Sequence, residues 1–126
     1  MYLYVELWKA RPEWYALAKE ERTEYMAQVG PSLQQLVDEG IELLGFGLNE
    51  TETPHRADYK YVAIWRIPEK KLVIRLESVV NEAGWHDYFD QANVRGWVIS
   101  SDAALNDMVN MEETTQNPVE AQSEFK

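Results

Sequence analysis

The chain contains no cysteine. That excludes disulfides, thiolate nucleophiles and zinc–sulfur sites outright. Histidine is nearly absent as well: His55 and His86 are the only two, too far apart for a His-x-x-x-His pair, so no metal site is expected. There is no Gly-x-Ser-x-Gly elbow, no Gly-x-Gly-x-x-Gly and no Gly-Lys-Ser/Thr, which removes the common nucleophile and phosphate-loop chemistries. No apolar run is long enough to cross a bilayer. The N-terminus lacks a basic segment followed by an apolar one, so no secretory signal is expected and the predicted location is cytoplasmic. Basic residues are scarce and scattered: 12 Lys and Arg stand against 22 Asp and Glu, a net charge of −10. A nucleic-acid partner would need those cations clustered, so none is expected.

What the chain has is one domain's length, 126 residues, and many rings: five Trp and seven Tyr. A domain of this size buries a core without a staple. In Tyr2–Trp8 the odd positions Leu3, Val5 and Leu7 are aliphatic, and the even positions Tyr2, Tyr4, Glu6 and Trp8 are aromatic apart from one acid. That alternation predicts a strand with one aliphatic and one aromatic face. Tyr59–Ile67 has the same texture. Pro12 suits a first helical turn and opens a helix predicted over Pro12–Val29, with Gly30-Pro31 interrupting it and Ser32–Glu39 as a second segment. Ile41–Leu48 reads as a strand whose Gly45 and Gly47 suggest a bulge or a close approach. Glu69–Glu82 reads as a helix with Leu72, Leu76, Val79 and Val80 as its stripe, ended by Gly84. Trp85–Asn93 suits either a strand or a short helix, and its ring content between Gly84 and Gly96 favours the strand. A last helix is predicted over Asp102–Asn110, capped at Ser101-Asp102. Residues 112–126 read as a polar tail after a single domain over 1–111, expected to lie on a surface.

The order is β-α-β-β-α-β: an α+β class, ferredoxin-like fold with an antiparallel sheet and both helices on one face. With this element order, these strand textures and the Gly84–Asn93 segment, the chain resembles the dimeric α+β barrel superfamily. The resemblance implies ferredoxin-like monomers that pair sheet to sheet. It covers relatives as different as cofactor-free monooxygenases, muconolactone isomerase-like proteins and haem-containing chlorite dismutases, so it implies no single reaction. The expected partner is a second copy of the chain, because an open aromatic sheet face on so small a domain needs a cover.

Glu21 is the sharpest candidate for chemistry. On a helical wheel of ~100° per residue started at Trp14, it shares a side with Leu17, Ala18, Tyr25 and Val29. A carboxylate facing the sheet must be paired or protonated, and burial would raise its pKa toward general acid–base use. The alternative is a rim glutamate paired with Arg22, Arg66 or a tyrosine. His86, among Trp85, Asp87 and Tyr88, is the other candidate proton carrier. Glu6, on the aromatic side of its strand, either meets a partner residue or lines a ligand cavity. Trp14, Tyr25, Trp65 and Trp85 are expected to shape that cavity. The expected ligand is an apolar or aromatic small molecule, without a cofactor. An enzyme of the cofactor-independent monooxygenase or isomerase kind and a non-catalytic dimerisation module both fit the sequence.

Overall fold

The computed structural model describes residues 1–113; the predicted tail, from residue 114 on, lies outside the described residues. The elements run β1 (Tyr2–Ala10), α1 (Pro12–Tyr15), α2 (Lys19–Asp38), β2 (Glu42–Leu48), β3 (Tyr61–Ile67), α3 (Lys70–Glu82), α4 (Trp85–Tyr88), β4 (Phe89–Trp97) and α5 (Ser101–Val109). The strands form one antiparallel sheet in the order β2-β3-β1-β4. This is the ferredoxin-like arrangement, and the α+β reading holds.

The two halves of the β1 alternation separate as a pleated strand demands. Tyr4 and Glu6 face α2 and α3, as do Ala63, Trp65 and Ile67 of β3. Together with Leu36, Ile41, Leu72, Val73 and Leu76, these apolar side chains are the buried core. The aromatic face is therefore the one the chain's own helices cover. The face left open is the aliphatic one, not the aromatic one expected from the sequence, because the core under the helices is built on Tyr4 and Trp65: Val5 lies across from Ile64 and Val94, and Leu7 from Val62 and Ala92.

Three local predictions need correction. Trp85–Asn93 is not one strand: Trp85–Tyr88 is a helical turn, and β4 begins only at Phe89. Gly84, left-handed at φ +72°, makes the reversal out of α3 that sets up that turn. The helix predicted over Pro12–Val29 is two: α1 ends at Tyr15, and Ala18 is extended before α2 starts at Lys19. Conversely, α2 runs through Gly30-Pro31 without ending. Proline removes one backbone donor there, and Leu33 and Leu36 packed on the core hold the helix together across it. The bulge expected in β2 is present, as a register shift between Leu43 and Gly45.

α5 stands apart from this body. Ser100 Oγ caps it by accepting from the Ala103 N–H at 3.1 Å. Its Leu105, Met108 and Val109 side chains are exposed, as are those of Val98 and Ile99 just before it.

Candidate functional site

Between the aromatic sheet face and α2–α3 lies a cavity of about 800 Å³. Its wall is a run of rings. Tyr61 stacks on Trp8 (centroids 5.5 Å apart), Trp8 meets the edge of Trp85 (6.0 Å), Trp85 stacks on Phe89 (4.3 Å), and Phe89 touches Trp14 (4.8 Å). Phe46 closes the β2 side against Trp65 and Trp8. On the helix side Val29, Leu33, Val79 and Val80 complete the lining. Centroid distances of 4.3–6.0 Å are those at which aromatic pairs attract beyond their buried area.

One carboxyl group interrupts this apolar surface. Glu6 is 8% exposed. Its Oε1 accepts from the Trp65 indole N–H at 2.6 Å, and its Oε2 accepts from the Gln91 amide at 2.9 Å. Burial pushes the Glu6 carboxyl above the usual carboxylate range, against the two donors and the nearby His86, which favour its charged form. Gln91 Nε2 also donates to Asn93 Oδ1 at 2.8 Å. With both acceptors on that side the amide orientation is fixed, and Gln91 Oε1 is left buried without a partner among the described residues. The polar floor is thus Glu6 held between β3 and β4 by the Trp65 and Gln91 hydrogen bonds.

Of the residues singled out from the sequence, Glu6, Trp14, Trp65 and Trp85 line the cavity. Tyr25 stands one layer behind, stacked on Trp85 at 6.5 Å and edge-on to Trp14 at 5.9 Å. Its hydroxyl donates to the Ala83 carbonyl at 2.7 Å, tying α2 to the end of α3. Burial, then Tyr88 and Asp87, raise that hydroxyl's pKa. Glu21 does not face the sheet. It is exposed near the start of α2, where its carboxylate accepts the Ala18 N–H at 2.8 Å. The helical wheel failed because it carried one phase from Trp14 through the break between α1 and α2. His86 is exposed and off the cavity lining, and its backbone carbonyl accepts from Arg11 at 2.7 Å. Gln91 and Phe89 were missed, since both depend on where β4 begins. Once Phe89 is fixed as facing inward, the strand period of two brings Gln91 to the same face.

Among the described residues no group of His, Cys, Asp or Glu is placed to hold a metal ion, and no helix is long and apolar enough to cross a membrane. The resemblance to haem proteins raises a separate question of fit. Haem iron is most often held by an axial histidine. Neither histidine lines this cavity: His86 lies outside it, and His55 sits in the loop after β2 with φ +55°. The residues present do not fit a histidine-ligated haem.

The fold itself has solved counterparts. A candidate chlorite dismutase, TA0507, matches with a TM-score of 0.62 at 20% identity, over 79% of this chain and 44% of that one. A mutant chlorite dismutase from Candidatus Nitrospira defluvii matches with a TM-score of 0.61 at 12% identity, over 91% and 50%. The RPA0582 protein of unknown function from Rhodopseudomonas palustris matches with a TM-score of 0.52 at 20% identity, over 79% and 82%. The chain thus spans about half the length of the two chlorite dismutases. No curated protein matches it. These structural likenesses show a shared ferredoxin-like fold, and over residues 1–111 the chain matches the family of unknown function DUF6616, to which it belongs.

Proposed function

We propose that this protein is a homodimer that binds an apolar or aromatic small molecule in the cavity between sheet and helices. The observation that carries the reading is the cavity itself: about 800 Å³, walled by aromatic rings, with a single buried carboxyl group at its floor. Ligand sites have this anatomy, a mostly apolar concavity with few, well-placed polar groups. In an enzymatic version, as a cofactor-independent monooxygenase or isomerase, Glu6 is the proton carrier and the tryptophans orient the substrate. Glu21, which caps a helix, and His86, outside the lining, drop out of that role. A cytoplasmic setting belongs to the same reading, in keeping with a chain free of cysteine.

The homodimer rests on the open aliphatic face. Leu3 is 41% and Val94 66% exposed there. A side chain added at Gly45 or Gly96 would meet nothing within 4 Å, so the face has room for close approach. Contiguous exposed apolar surface of this kind marks an association site. A second copy also supplies the other half of the length that the chlorite dismutase chains carry in one polypeptide.

Native mass spectrometry of the purified full chain tests both parts. A dimer that retains an added small-molecule mass supports the whole reading. A dimer that takes up no aromatic compound supplied in excess favours the second reading, a dimerisation module without a ligand, for which the exposed apolar side chains of α5 are the supporting observation. A monomer at micromolar concentration overturns the sheet-to-sheet pairing.

A further inference from the structure

The charges around the cavity reverse the sign of the chain. Acids outnumber bases 22 to 12 overall, yet among the described residues the charged ones lining the cavity are Lys9, Arg22 and Lys60 against the acid Glu6. Lys9 is already committed, with its ammonium 2.9 Å from Asp58. Arg22 and Lys60 make no ion pair among the described residues, in a chain rich in carboxylates. Each is held over a ring at one end of the aromatic wall. Lys60 Nζ lies 5.6 Å from the centroid of Tyr61, and Arg22 Cζ lies 5.8 Å from that of Trp14. Between those rings run Trp8, Trp85 and Phe89. Arg22 spends donors on the carbonyls of Trp14 and Tyr15. Lys60 Nζ has no hydrogen-bond acceptor among the described residues, so its three donors are free for a ligand.

We propose that the cavity selects an aromatic carboxylate, its ring on the Trp8–Trp85 wall and its carboxylate on Lys60. The inference rests on the small-molecule reading above and specifies the ligand's class. An unpaired ammonium beside an apolar wall favours an anion by a charge-assisted hydrogen bond and disfavours a cation of the same shape. Arg22 holds the same sign of charge at the far end, so both ends of the wall favour the anion.

The test is calorimetric titration of the full chain with three compounds of one shape: 2-naphthoate, 2-naphthamide and 2-naphthylmethylammonium. The expected order is naphthoate about tenfold tighter than the amide, with the ammonium weakest. Lys60→Met, an exposed position where folding is not at stake, brings naphthoate down to the affinity of the amide and leaves the amide unchanged. Arg22→Met has the smaller effect. Amide and carboxylate binding equally well to the unaltered protein overturns the anion preference while leaving the cavity a ligand site. A carboxylate preference that survives Lys60→Met overturns the assignment to Lys60. Failure of all three compounds to bind overturns the small-molecule reading and this inference with it.

Discussion

The two faces of the one sheet are built from the same strands and do opposite things. On the helix-covered face Tyr4, Trp65 and Glu6 are buried and fixed by specific hydrogen bonds: Tyr4 to Glu77 at 2.9 Å, Trp65 to Glu6 at 2.6 Å. Burial and that carboxylate neighbour raise the Tyr4 hydroxyl above its ordinary range, so it stays a donor. On the open face Leu3, Val5, Leu7, Ile64 and Val94 form an aliphatic patch, bordered by the exposed Arg66–Glu42 ion pair at 3.8 Å. The comparison teaches that specificity and adhesion are divided between alternate residues of β1. Polar-tipped rings make a shaped interior, while branched and γ-branched aliphatics make a surface that another apolar surface can cover.

Breaking the covered face costs most. Trp65→Ala removes a ring that is 2% exposed and strips Glu6 of a donor; denaturant unfolding should report a loss of about 3–5 kcal/mol. A loss under about 1 kcal/mol would mean that this ring is not part of the core. The open face should respond differently. Val5→Asp places a charge in its centre, and light scattering should show the proposed dimer converted to monomer while far-ultraviolet circular dichroism stays native. An unaltered dimer would move the interface elsewhere.

Next comes the pH dependence of Glu6. Its folded pKa lies above the ordinary value of 4.5. Between the two the folded chain keeps a proton that the unfolded chain has released, so stability falls as pH rises through that window. Glu6→Gln keeps an acceptor for Trp65 and cannot ionise. The stability difference between wild type and this variant should therefore shift in the variant's favour from pH 4 to pH 8, an interval chosen on the order of the perturbed range. A difference that stays constant with pH would show that the carboxyl is not perturbed. Tyr25→Phe leaves the Ala83 carbonyl without its partner, at a cost of about 1 kcal/mol, read as faster amide exchange where α2 meets α3. Smallest of all is Glu21→Gln. It weakens an exposed helix-start contact by about 0.5 kcal/mol and should leave ligand binding untouched; a large effect on binding would restore Glu21 to the site.

The alternation in Tyr2–Trp8 and Tyr59–Ile67 made the sheet and its two textures legible in the sequence. Period two says that residues divide between faces but not which face the helices take, so the open face became clear only once α2 and α3 were seen over Tyr4 and Trp65. Glu6 and Trp65 share one face of the sheet through the period of two alone, whereas Trp14 and Trp85 reach the cavity from helical turns that the sequence alone reads as one long helix and a strand. Glu21 was not legible, because three residues between two helices cancel the phase that a wheel assumes. Pro31 misled in the other direction: a local rule predicts a stop, and tertiary packing by Leu33 and Leu36 overrides it. Gln91 was hidden because Trp85–Asn93 begins as a helical turn and ends as a strand, so no single period describes it.

Glu6 also has a consequence for how the chain reaches this structure. Slipping β1 by one residue against β3 and β4 would exchange its faces. The carboxyl group would move to the aliphatic side, the Trp65 indole would lose its acceptor, and the Gln91 amide would keep only Asn93. A sheet made only of rings and aliphatics would tolerate that slip with little penalty, since both faces are apolar. As the one acid of β1, Glu6 favours the native strand alignment over the odd registers.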